Sequence, residues 1–86
     1  MKNMAKLTLK KLNLIEVAQI GVDFGRVVEA ARKYPMETTK MERLLERMKP
    51  YREIFEPYVQ IANAELNRAH PLPDGNPRFS YEIPRT

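Results

Sequence analysis

Three features of this sequence predict a mainly α-helical fold, an antiparallel helical hairpin with a small two-stranded β element. Polar residues recur at steps of three or four through Glu16, Gln19, Asp23, Arg26, Glu29 and Lys33, tracing one stripe of a helix. Apolar residues recur at heptad spacing through Met41, Met48, Phe55 and Ala62. Near the end, Phe79, Tyr81 and Ile83 alternate with Arg78, Ser80 and Glu82, the period of a half-buried strand.

The elements follow in order. "AKLTL" at 5–9 puts Leu7 and Leu9 two apart, which predicts a short strand. In "NLIE", Asn13 followed three residues later by Glu16 has the form of a capping box, with Asn in place of Ser or Thr. The first helix therefore spans 13–34 and stops before Pro35, because a proline disfavours helical geometry in the residue before it. After the short loop "PMET", Thr39 and Glu42 form a second capping box, and the second helix spans 39–69. Its inward positions also take in Leu44, Leu45, Tyr51, Tyr58, Val59 and Leu66.

Pro50 and Pro57 fall inside that second helix. Each removes a backbone donor and crowds the preceding turn, at about 3 kcal/mol. They are seven apart on the side away from the apolar stripe, so two kinks would bend the helix the same way, over its partner. The alternative is a break near Pro50 that yields two shorter helices. Residues 70–77 are turn chemistry, rich in Pro, Asp, Gly and Asn, and 78–83 is the second strand. A hairpin brings the start of the first helix near the end of the second, where the two strands would pair. The whole chain, 1–86, reads as one domain.

At 86 residues, such a domain buries only about two thirds of its unfolded surface. With no cysteine and a single histidine, neither disulfides nor a zinc site can reinforce it, which leaves self-association. Hydrophobic and charged fractions of 43% and 30% are those of a globular chain rather than a disordered one. No apolar run approaches the roughly 20 residues a membrane span needs, and "MKNMAKLTLKKLNLIEVAQ" has no uninterrupted signal-peptide core. The expectation is a cytoplasmic protein without a membrane partner. A net charge of +4 permits a polyanionic partner without demanding one.

"IGVDFG" at 20–25 has the look of a phosphate-binding loop. It continues into "RVVEAARKY", with no hydroxyl to hold phosphate and metal, so the helical reading is preferred. On a helix, Leu14, Val17, Ala18, Gly21, Phe24, Gly25, Val28 and Ala31 share one face, within which Ala18, Gly21 and Gly25 form a notch of small side chains. Each glycine costs about 1 kcal/mol relative to alanine, so either a close neighbour fills the notch, such as a Tyr or Phe of the second helix, or the helix breaks locally there. Ile15, Ile20, Val22, Val27 and Ala30 lie outside this face, so the apolar surface exceeds what one helix and a ribbon can cover. The surplus predicts a homo-oligomer with Leu14, Val17, Ala18, Gly21, Phe24, Gly25 and Val28 at the interface.

Reaction chemistry is scarce. The charges of the second helix are mixed, with Lys49 and Glu53, and Arg52 and Glu56, spaced as surface pairs. His70 sits at a helix end, where a cap or solvent role suits it. No catalytic residue, cofactor or metal is expected, and the chain is read as a non-enzyme. The remaining candidates are polyanion contacts: Lys6, Lys10, Lys11, Arg78 and Arg85, with Lys2 and the aromatics Phe79 and Tyr81 beside them.

The order of "KLTLKKLN", a helix, "YPMETTK", "MERLLERMKPYREIFEPYVQIANAEL" and "DGNPRFSYEI" resembles that of small uncharacterised bacteriophage or prophage proteins. The resemblance is one of layout over most of the chain, and departs from it in the glycines of the first helix and the double proline of the second. It implies a phage-encoded accessory protein and carries no catalytic residues over. The expected function is that of a structural or assembly adaptor acting through the first helix. The alternatives are an inhibitor or modulator docking on a host protein, and a basic nucleic-acid binder.

Overall fold

The computed structural model describes residues 13–85. They form three α-helices: α1 (Leu14–Lys33), α2 (Thr39–Arg47) and α3 (Arg52–Ala69), with a short 3-10 turn, Lys49–Tyr51, between α2 and α3.

Helix α1 begins as its sequence signals. The Asn13 side chain accepts a hydrogen bond from the Glu16 backbone N–H at 3.1 Å, satisfying one of the free donors of the first turn. The reciprocal half of the box is absent, because the Glu16 carboxylate accepts instead from the Tyr51 hydroxyl at 2.7 Å. No break occurs at the glycines; α1 is continuous through both. Helix α2 is capped differently from the expected Thr39–Glu42 box. Thr38 holds the N-cap position with no side-chain bond, and the Glu37 carboxylate accepts from the Thr39 N–H at 2.8 Å.

The predicted 31-residue curved helix over 39–69 is instead two helices that meet at Pro50. Pro50 has no N–H with which to continue the ladder. The chain tightens in compensation: Met48 N–H bonds the carbonyls of Leu44 and Leu45, and Tyr51 N–H bonds that of Met48 at 2.8 Å. Tyr51 then leaves helical geometry at φ −120°, ψ 30°, and the chain turns. Pro57, by contrast, is accommodated inside α3. It faces solvent, while Phe55, Val59, Ala62 and Leu66 bury the opposite side.

That turn changes the topology. Asp23 of α1 meets Arg47 at the end of α2, so these two helices are antiparallel. Glu16 meets Tyr51 and Arg32 meets Glu65, so α3 runs back parallel to α1. The two-helix hairpin is thus replaced by three helices, and the end of α3 lies beside the end of α1 rather than its start.

The two-stranded β element is not present, since the described residues contain no strand ladder at all. Residues 5–9 lie outside the described residues. Residues 78–83 do show the expected alternation, with Phe79 and Ile83 buried and Ser80 and Glu82 exposed, but they pair with side chains. Asn67 donates to the Phe79 carbonyl at 3.0 Å and accepts from the Phe79 N–H at 2.7 Å. Asn63 does the same for Tyr81, at 2.8 and 3.0 Å. Four helical residues rise about 6 Å and two extended residues about 6.6 Å, so amides four apart on α3 match carbonyls and N–H groups two apart on the tail.

The tail runs antiparallel to α3 and parallel to α2, lying in the groove between them, and its Pro84 carbonyl accepts from Arg52. The main core joins Ile20 of α1, Met41, Leu44 and Leu45 of α2, Met48 and Tyr51 at the turn, Phe55 and Val59 of α3, and Ile83 of the tail. A second cluster of Ala31, Leu66 and Phe79 sits at the other end, and Tyr81 packs against both.

Candidate interaction surface

Helix α1 presents two unlike faces. Ile20 is fully buried, and Val17, Phe24, Val27 and Val28 pack around the main core. The structure therefore divides the seven predicted interface residues. Val17, Phe24 and Val28 are turned inward, while Leu14, Ala18, Gly21 and Gly25 are exposed. Leu14, Ile15 and Val22 retain 70%, 79% and 57% of their accessible surface, so the outward side stays apolar over two turns.

The expected filling of the glycine notch does not occur. A Cβ placed on Gly21 or on Gly25 would meet nothing within 4 Å. The parallel course of α1 and α3 explains the space. The Glu16–Tyr51 and Arg32–Glu65 contacts set a register that puts Gly25 level with Tyr58, which is itself 56% exposed, as is Ile61 one turn on. Tyr51 and Phe55, the other aromatic candidates, are buried in the core, so none of the three fills the notch. "IGVDFG" is plain helix: Ile20 is core, and Asp23 bonds Arg47 at 2.9 Å across to α2.

The polyanion candidates do not gather into one patch among the described residues. Arg78 spends its Nε–H on the His70 carbonyl at 2.9 Å, Arg85 lies beyond it near the start of α3, and Lys2, Lys6, Lys10 and Lys11 lie outside the described residues. Phe79 is buried, which removes it from stacking on bases, and Tyr81 is half-buried against the core. His70 caps α3 through its N–H to Leu66 O at 2.9 Å, and its Nε2 donates to the Arg32 carbonyl at 2.6 Å. A carbonyl can only accept, so Nε2 carries the proton.

Two tyrosines have perturbed hydroxyls. The bond to the Glu16 carboxylate, then burial and the Glu16 charge, raise Tyr51 above its ordinary pKa, with a smaller opposing effect of the Asn13 backbone. Burial raises Tyr81, and the charges of Glu42 and Glu37 add to it.

Sequence reasoning missed Asn63, Asn67 and the Glu16–Tyr51 link. The signal for the first two was present: two amides four apart, adjoining the apolar stripe of a helix, are costly to bury unless something bonds them. No group of three or more His, Cys, Asp or Glu residues able to hold a metal occurs among the described residues, and no helix there is long and apolar enough to cross a membrane. Comparison with protein-family models, with curated proteins and with solved structures finds no match to this chain.

Proposed function

We propose that this chain is a non-catalytic accessory protein of the cytoplasm that self-associates, serving as an assembly adaptor through the outward side of α1. The observation that carries this reading is the open stripe of Leu14, Ala18, Gly21 and Gly25, flanked by exposed Ile15, Val22, Tyr58 and Ile61. Two glycines in a helix interior cost about 2 kcal/mol together relative to alanine, and nothing within the described chain uses the room they leave. A second copy of α1 laid on the same stripe would use it, since small residues let two backbones approach closely. The contact would be self-complementary, as a two-fold dimer requires.

The test is the solution mass, measured by light scattering behind a sizing column at two concentrations, for the native chain and for Gly21→Leu and Gly25→Leu. Both sites are open, so the variants fold and their helix is stabilised. A native dimer or larger species that falls to monomer in either variant supports the reading. A native monomer at both concentrations, or a mass that the variants leave unchanged, rejects it.

A further inference from the structure

The backbone of the tail has two edges, and only one is used. In an extended chain the N–H and C=O of one residue point to one edge and those of the next to the other. Phe79 and Tyr81 give theirs to Asn67 and Asn63 of α3. Those of Ser80 and Glu82 therefore point away from α3, and among the described residues they have no hydrogen-bond partner. An unpaired edge of this kind is a template for another strand.

What lies along that edge has room for one. A cleft of about 360 Å³ separates Arg78–Tyr81 from the α1–α2 loop at Pro35, Met36 and Thr38. A second, of about 470 Å³, lies between Glu82 and Pro84 of the tail and Thr39, Glu42, Arg43, Leu45 and Glu46 of α2. The first end carries Pro35 and Met36, the latter 85% exposed at its mouth. The second is acidic: Glu42, Glu46 and Glu82 outnumber Arg43 on its wall, and only Glu46 has an ion-pair partner among the described residues, Lys49 at 3.0 Å.

We propose that this edge is a docking site for an extended peptide from a partner protein, added as a strand beside residues 80–82 with an apolar side chain toward Met36 and a Lys or Arg toward Glu42 and Glu82. Backbone pairing supplies the affinity in such additions, and the flanking pockets supply the preference. A second copy of this chain does not fit the slot. Its own tail offers the same edge only inside the cleft it shares with α2 and the α1–α2 loop. The site is separate from the α1 stripe and stands whether or not the chain self-associates.

The experiment is a titration of the isotope-labelled full chain with the synthetic peptide acetyl-Leu-Thr-Val-Lys-Val-Lys-amide, followed by amide NMR. Two controls accompany it: the same peptide N-methylated at alternate residues in each of the two registers, and the E42K/E82K variant, whose changes fall on exposed side chains. Shifts centred on the Ser80 and Glu82 amides are expected, with slowed hydrogen exchange there. One N-methylated register should bind at least tenfold more weakly, and the charge variant should weaken binding of the native peptide by a similar factor. Equal binding of both N-methylated peptides, shifts confined to acidic side chains elsewhere, or shifts at Asn63 and Asn67 showing that the peptide displaces the tail, would each overturn the proposal.

Discussion

Helix α1 and the tail at 78–84 treat their backbones in opposite ways. The helix satisfies its own N–H and C=O groups, so its side chains are free of that duty, and it can leave one face bare at Ala18, Gly21 and Gly25. The tail has no such internal ladder. Every backbone group it buries needs an outside partner, and α3 provides them from Asn63 and Asn67. The segment without regular structure is thereby tied into both hydrophobic clusters through Phe79, Tyr81 and Ile83, while the longest helix is the one with surface to spare. Regular geometry and integration into the core are separate properties.

The largest expected effect breaks the tail's side of this contrast. Phe79→Ala empties a buried site between Ala31 and Leu66 and should cost about 3–5 kcal/mol, read as a drop in the denaturation midpoint. An unchanged midpoint would mean that the tail is not part of the cooperative unit. Asn63→Ala comes next. It strands the N–H and C=O of Tyr81 beside a side chain that is itself 9% exposed, for about 1–3 kcal/mol. Hydrogen exchange should then quicken at Tyr81 more than anywhere in α1.

The smallest effect is in pH. The folded pKa values of Tyr51 and Tyr81 are raised, so the fold holds their protons more tightly than the unfolded chain. The stability this contributes is present below pH 10, the ordinary tyrosine value, and is lost as the pH rises through the folded values. Melting curves from pH 9 upward should show this decline, and Tyr51→Phe should flatten it. A decline of equal steepness in that variant would place its origin elsewhere.

Much of this architecture was legible in residues with a strong local rule. Asn13, Pro35 and the 3.6-residue period fix α1 almost to the residue, and the alternation at Phe79, Tyr81 and Ile83 correctly separates buried from exposed. What could not be read locally was the partner of each pattern. A period of two is equally consistent with a ladder and with a row of helix amides, and only the tertiary arrangement decides between them. Pro50 and Pro57 obey one rule with two outcomes: both face solvent beside buried residues, yet the chain turns at the first and α3 runs on through the second. In the candidate interface, periodicity grouped Val17, Phe24 and Val28 with the glycines. The neighbouring α2 and α3 cover part of that arc and leave the rest, a distinction set by where the chain reverses.

The reversal at Pro50 also has an electrostatic outcome. Because α1 and α3 run parallel, their macrodipoles point the same way, and two partly negative carbonyl ends lie together instead of cancelling. The chain meets that concentration of negative potential with cations and donors at this one pole: Arg32 and Lys33 close α1, Arg68 closes α3, the His70 ring bonds the Arg32 carbonyl, and Arg78 bonds that of His70. Part of the chain's positive charge, Arg78 above all, is thus committed to the molecule's own backbone rather than offered to an outside polyanion.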